Sequence, residues 1–173
     1  MRTFAVSAVG LDRPGIIAGV AERLVAHHVN VTDSRMGILR GHFAMTLVVT
    51  APAGVDAQAL ERDLRDAGSA LELEALSVRE VSDAHAASVA PTHTVVVHGA
   101  DHPGILAAAT GALASAGVNV CDLQARLLDG DALYVILMEV AAPDGTDVEA
   151  ALAPVAEAQG VTIAVGPFES DVL

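Results

Sequence analysis

Two short stretches hold the residue types that most readily grip an anion. Asp12-Arg13-Pro14-Gly15-Ile16 and Asp101-His102-Pro103-Gly104-Ile105 each sit where a β-branched run gives way to helical spacing. The first amides of a helix lack partners within it and carry a partial positive charge, so such a terminus can hold a carboxylate or phosphate. Gly15 and Gly104 let a ligand approach the backbone closely. Fifteen residues on, Asn30 and Asn119 open the next predicted strand. An Asn side chain both donates and accepts, so it can meet the amino group of a ligand whose carboxylate sits at the helix end. In the competing reading, Asp12 and Asp101 cap helices and the two Asn make turns.

Other reactive residues form weaker patterns. His27 and His28 are adjacent at a helix end, whereas a helical metal pair prefers i, i+4 spacing. A helix C-terminus that favours imidazolium accounts for them. Cys121 is the only cysteine, which precludes an internal disulfide; with no base near it in sequence, it is expected to be a buried structural thiol. Asp33 and Arg35 lie two apart on a strand and so share a face. Asp129, Asp131, Asp144 and Asp147 lack calcium-loop spacing. No catalytic residue, metal site or cofactor is expected.

The elements that position the two loops repeat. At an offset of 89, 12 of the 30 residues from 4 to 33 are identical to their counterparts. Beyond the Asp129-Gly130-Asp131 turn the offset becomes 91, where Ala51-Pro52-Ala53-Gly54 meets Ala142-Pro143-Asp144-Gly145. A period near 90 is a domain duplication, since solenoid units run about 20–50 residues. We assign residues 1–82 and 92–173 to the two copies, and the small-residue stretch 83–91 to a linker.

Each copy reads as strand, helix, strand, strand, helix, strand. Strands are predicted at Thr3 to Val9 and Thr94 to His98. Helices follow at each Asp-X-Pro-Gly, with Pro in the first turn and apolar residues at Ile16, Val20, Leu24 and at Ile105, Ala109, Leu113. Third strands alternate over Phe43 to Val49 and Tyr134 to Val140. Second helices are predicted near Asp56 to Ala67 and Asp147 to Ala158, and fourth strands near Leu71 to Val81 and Val161 to Phe168. The expected fold is therefore α+β: two βαββαβ ferredoxin-like domains, each a four-stranded antiparallel sheet with both helices on one face. Two features strain it. Pro154 falls inside the last helix, which must kink or begin later. Alternation breaks between Leu73 and Leu76, as at a bulge.

Composition excludes whole classes of function. The chain has 173 residues, nine Arg, no Lys and 22 acids, a net charge of −13. Nucleic-acid binding needs clustered cations or stacking platforms, and only four residues are aromatic. Residues 1–86 hold eight of the Arg and a net −3, while residues 87–173 hold Arg126 alone and a net −10. If one copy takes an anionic carboxylate or an acidic partner, the first is expected to. The longest apolar run, Ala132 to Met138, is far short of the roughly 20 residues that span a bilayer. Neither direct nucleic-acid binding nor a membrane is expected, and the N-terminus shows no export signal. A cytoplasmic protein is the default.

The Asp-Arg-Pro-Gly-Ile loop, the Asn-Val pair and the element order resemble ACT domains, regulatory modules that bind small ligands, usually amino acids, between paired copies. Two copies with little else, together with Asn30-Val-Thr-Asp-Ser-Arg35 and the Met36 to Phe43 stretch, are most similar to the glycine cleavage system transcriptional repressor group. The resemblance implies a ligand site at Asp12, Arg13, Pro14, Gly15, Ile16 and Asn30, and a second at Asp101, His102, Pro103, Gly104, Ile105 and Asn119. It also implies an amino-acid ligand, a homo-oligomer, and a protein partner such as a transcription activator or a metabolic enzyme. In that group repression works by contact with an activator. A ligand-independent adaptor and a regulatory subunit of an amino-acid metabolic enzyme are the alternatives.

Overall fold

The structure is a computed structural model that describes residues 1–82, 89–128 and 132–169. The middle of the linker read at 83–91 and the Asp129-Gly130-Asp131 turn lie outside the described residues. The chain divides into two units, Met1–His85 and Ala86–Leu173. Copy one contains β1 (Arg2–Leu11), α1 (Ile16–Ala26), β2 (Asn30–Leu39), β3 (His42–Ala51), α2 (Ala57–Ala70) and β4 (Leu73–Val81). Copy two contains β5 (His93–Ala100), α3 (Ile105–Ser115), β6 (Asn119–Leu128), β7 (Leu133–Ala141), α4 (Val148–Gln159) and β8 (Thr162–Pro167). Each forms a four-stranded antiparallel sheet, ordered β2-β3-β1-β4 and β6-β7-β5-β8.

Period-2 alternation builds the sheet side of each core. In copy one Phe4, Val6 and Ala8 point inward with Phe43, Met45, Leu47 and Val49, against Ile16, Val20 and Leu24 of α1 and Leu60 and Leu64 of α2. Copy two repeats this with Val95, Val97, Ile136, Met138 and Val140 against Ile105, Leu113, Val148 and Leu152. Both helices of a copy therefore bury their apolar stripes on the same face of the sheet.

The helix ends explain the shared spacing. Val29 donates to the Leu24 carbonyl at 2.9 Å, and Val118 to that of Leu113 at 2.9 Å. These wrapped C-termini need a left-handed residue, supplied by His28 (φ 55°) in one copy and Gly117 in the other. Asp56 and Asp147 cap α2 and α4. The last helix starts at Val148 and runs through Pro154, so Pro154 does not delay it. The irregularity foreseen in the fourth strand is present: Val9 pairs with Ala75 and Gly10 with Leu73, leaving Glu74 as the extra residue.

The two edges of copy one differ. On β4, the Val78 amide donates to Glu61 at 3.0 Å and the Leu76 carbonyl accepts from Arg65 at 2.8 Å. Two side chains of α2 thus stand in for a neighbouring strand. On the opposite edge β2 has no buried residue, and Met36, Ile38 and Leu39 are exposed. An uncovered edge offers unpaired backbone groups to another strand.

Candidate functional site

The β1–α1 loop is shaped by one backbone conformation. Gly15 takes φ 98° and ends the loop as the residue before α1, a left-handed value that L side chains adopt only with strain. Gly104 does the same in copy two at φ 110°. The helices therefore begin at Ile16 and Ile105, two residues after Pro14 and Pro103, so neither Pro lies in the first helical turn. Neither has a side-chain cap, so Asp12 and Asp101 do not cap them. The first intrahelical bonds run from Gly19 to the Gly15 carbonyl and from Ala108 to the Gly104 carbonyl. The amides of the three residues before each donor are not used by the helix.

In copy one the residues that carry these amides, Ile16, Ile17 and Ala18, line a hollow of about 220 Å³. It is walled by loop residues Asp12 to Gly15 and by Ile16, Ile17 and Ala18, and closed by Met36 of β2 and Phe43 of β3. The Asp12 amide donates to the Gly41 carbonyl at 3.0 Å, tying the loop to the β2–β3 turn. The hollow is smaller than the 300–1,000 Å³ typical of drug-sized ligands. It combines a polar helix end with an apolar floor. Sequence reasoning missed Met36 and Phe43 as site residues, because Phe43 reads as one more inward residue of an alternating strand.

Two expected site residues lie elsewhere. Asn30 pairs with Thr50, which pairs with Thr3, whereas the loop follows Leu11, paired with His42. Within one copy Asn30 and the loop occupy opposite ends of the sheet, on the order of 25 Å apart at the rise of a strand. Asn119, paired with Ala141, is equally remote from the loop after Ala100. α1 and α3 run the length of the sheet, so each Asn sits at the far end of the helix whose start carries the loop.

The variable second residue of each loop reaches the C-terminal end of the copy's second helix. Arg13 pairs with Glu72, so its charge is already matched by a carboxylate. His102 approaches the carbonyl of Gln159 with Nε2 at 2.9 Å and that of Pro103 with Nδ1 at 3.2 Å. The Gln159 carbonyl first, and the Pro103 carbonyl next, raise the imidazole above the ordinary histidine range.

The remaining candidates are accounted for structurally. His27 Nε2 lies 3.0 Å from Asp63, linking α1 to α2. Asp33 accepts from the Ser34 amide at 2.7 Å. Cys121 is exposed, contrary to the expected burial. It is the extra residue of a bulge between Val120 and Asp122 on edge strand β6, where Thr32 stands in copy one. Among the described residues no group of three His, Cys, Asp or Glu could hold a metal ion, and no helix is long and apolar enough to cross a membrane. Copy two has a separate cleft of about 330 Å³ at the start of α4, bounded by His93 and by residues near Asp147 and Gly166. It is larger than the loop hollow but contains none of the loop residues.

Comparison with known proteins matches both copies. The family model of the ACT domain covers residues 2–77 and again 93–166. A UPF0237 protein of Methanopyrus kandleri is 35% identical over 81 residues, 46% of this chain and 90% of that protein. The phosphoserine phosphatase of Streptomyces coelicolor is 33% identical over 174 residues, 94% of this chain; the match spans only 39% of the phosphatase. The crystal structure of an unknown protein from Galdieria sulphuraria superposes with a TM-score of 0.76 at 29% identity, covering 97% of this chain and 99% of that one. A candidate glycine cleavage system transcriptional repressor shares the fold, with a TM-score of 0.74 at 18% identity and 98% of both chains covered.

Proposed function

Because the chain belongs to the ACT domain family and carries the domain twice, we propose that it is a regulatory protein whose first copy binds a small amino acid. The observation that carries this reading is the hollow at the start of α1. There the amides of Ile16, Ile17 and Ala18 and the helix dipole suit a carboxylate, and Met36 and Phe43 suit an aliphatic side chain. The matched charge of Arg13 leaves the helix end as the anion-binding element.

The ligand's amino group needs acceptors; Asp12 in the wall of the hollow is one, and a paired copy can add another. Antiparallel pairing of two β2 edges reverses one strand against the other. Asn30 of one copy then comes to the loop end of the other. The covered β4 edge and open β2 edge support pairing on that side. A second chain is the natural source of this edge, so ligand and dimer stabilise each other by mass action. The output is contact with a protein partner, a transcription activator or an amino-acid metabolic enzyme, and not catalysis. The net charge of −13 disfavours direct reading of DNA.

Thermal unfolding of the full chain against the twenty amino acids at millimolar concentration tests the reading. At least one should raise the transition, since ligand at a hundred times its Kd adds about 2.7 kcal/mol to the native state. If all twenty leave the transition unmoved, amino-acid sensing is excluded.

A further inference from the structure

The two loops share a backbone conformation but are fastened differently. In copy one the second loop residue is Arg13, whose charge is permanent, and its partner is the Glu72 carboxylate. Glu72 sits at φ 55° directly before β4. The matching position before β8 is Gly160, at φ 63°, which has no side chain to offer. Copy two instead places an imidazole between two main-chain carbonyls, 2.9 Å from Gln159 and 3.2 Å from Pro103.

A carbonyl oxygen can only accept. A neutral imidazole has one N–H and can satisfy one of the two oxygens, leaving a ring lone pair facing the other. Only the doubly protonated ring donates to both. Gln159 is the last residue of α4, so its carbonyl also lies at the negative end of the helix dipole. Asp101, on the same loop, adds a favourable charge. From α4 the ring meets a main-chain carbonyl; the next acid back along that helix, Glu157, is exposed.

We propose that His102 is a proton-operated latch, which ties the β5–α3 loop to the end of α4 when protonated and loosens it when neutral. Copy one has the same tie built from a guanidinium and a carboxylate, with no imidazole in it. The two loops would then respond differently to pH, with the second fastened only on the acidic side. This inference concerns how the loop is held and does not rest on the amino-acid reading.

A histidine held above its unfolded value contributes stability that is fully present below that value and is lost as pH rises through the native midpoint. The ordinary midpoint is about 6.5, so the latch releases above it.

Carbon-13 and nitrogen-15 NMR of the full chain, titrated from pH 5 to 9, tests this directly. His102 should titrate with a midpoint above 6.5, and the carbonyl carbons of Pro103 and Gln159 should shift with the same midpoint. In His102→Arg, a permanent cation that can still donate to Gln159, both carbonyl signals should stay flat. Thermal unfolding should show wild type losing stability relative to this variant as pH rises. A His102 midpoint at or below 6.5, or carbonyl signals that ignore its titration in the wild type, overturns the latch. Both readings are made on the wild-type protein, so poor folding of the variant cannot rescue the proposal.

Discussion

The carboxylate of Glu61 accepts the Val78 amide at 3.0 Å, so a helix side chain occupies the place of a strand on the outer edge of β4. The same carboxylate, through its other oxygen, receives Arg65, which also reaches the Leu76 carbonyl. One i, i+4 pair therefore covers two consecutive outward-facing backbone groups. In copy two an offset of 91 puts Leu152 and Ala156 at these positions. The pairing is thus a feature of copy one.

Glu61→Ala should lower the stability of copy one by about 1.5–3 kcal/mol, the range for hydrogen bonds to charged groups. Urea unfolding, read by a probe in copy one, checks it. The Val78 amide first, and Arg65 next, hold the Glu61 carboxyl below its ordinary value. Its contribution is present above the unfolded value, about 4.3, and is lost as pH falls through the lower native value. The variant should therefore lose less stability than wild type on acidification; equal acid sensitivity would remove Glu61 from the account.

Gly10 and Gly99 are duplicated for want of space. A Cβ on Gly10 would sit 2.9 Å from the Leu73 Cα and 3.0 Å from the Glu72 carbonyl, both backbone atoms. A Cβ on Gly99 would meet chiefly the Val161 side chain, its nearest atom at 2.8 Å. Gly10→Ala should cost about 1–3 kcal/mol, the usual range for overpacking, and Gly99→Ala less, because a side chain yields more easily than backbone. Paired denaturation curves check the order, and equal losses would contradict it.

Local patterns in the chain reveal the fold more fully than the site. Phe43 to Val49 and Ile16-Val20-Leu24 show their periods over a few residues, and the duplication displays each pattern twice. Even the Glu74 bulge is visible as a break in alternation. The site depends on what comes together over long separations. Arg13 and Glu72 are 59 residues apart, so nothing local shows that the Arg is already matched. Asn30 follows the loop closely in sequence, but an intervening helix carries the chain to the far end of the sheet. Cys121 reads as a strand residue and hence as core, but its strand is an edge and its position a bulge, and together these turn it outward.

The placement of Asn30 separates two architectures for the ligand site. If β2 edges pair, Asn30→Ala should abolish ligand stabilisation and weaken the dimer's response to ligand, although the residue is remote from its own loop. Phe43→Leu should reduce ligand affinity while the fold is retained. Thermal shift with and without the best amino acid, alongside sedimentation of the same samples, checks both. A ligand response in Asn30→Ala equal to that of wild type would confine the site to a single copy.

Pro154 interrupts the hydrogen-bond ladder of α4. It is the seventh of the twelve residues of α4, where an i→i−4 bond to the Ala150 carbonyl would form if the residue had an N–H. It is exposed, while Leu152 and Val155 beside it are buried, so a change here leaves the core untouched. An interior Pro costs a helix about 3 kcal/mol relative to Ala, and α4 forms because Val148, Leu152 and Val155 bury against the sheet. Pro154→Ala should restore the bond and stabilise copy two by about 1–3 kcal/mol. Copy one should be unchanged. Urea denaturation followed by amide exchange at Ala156 to Gln159 checks both. Slower exchange with a higher midpoint is the expected pair of results. An unchanged midpoint would mean that the helix already accommodates the missing bond without cost.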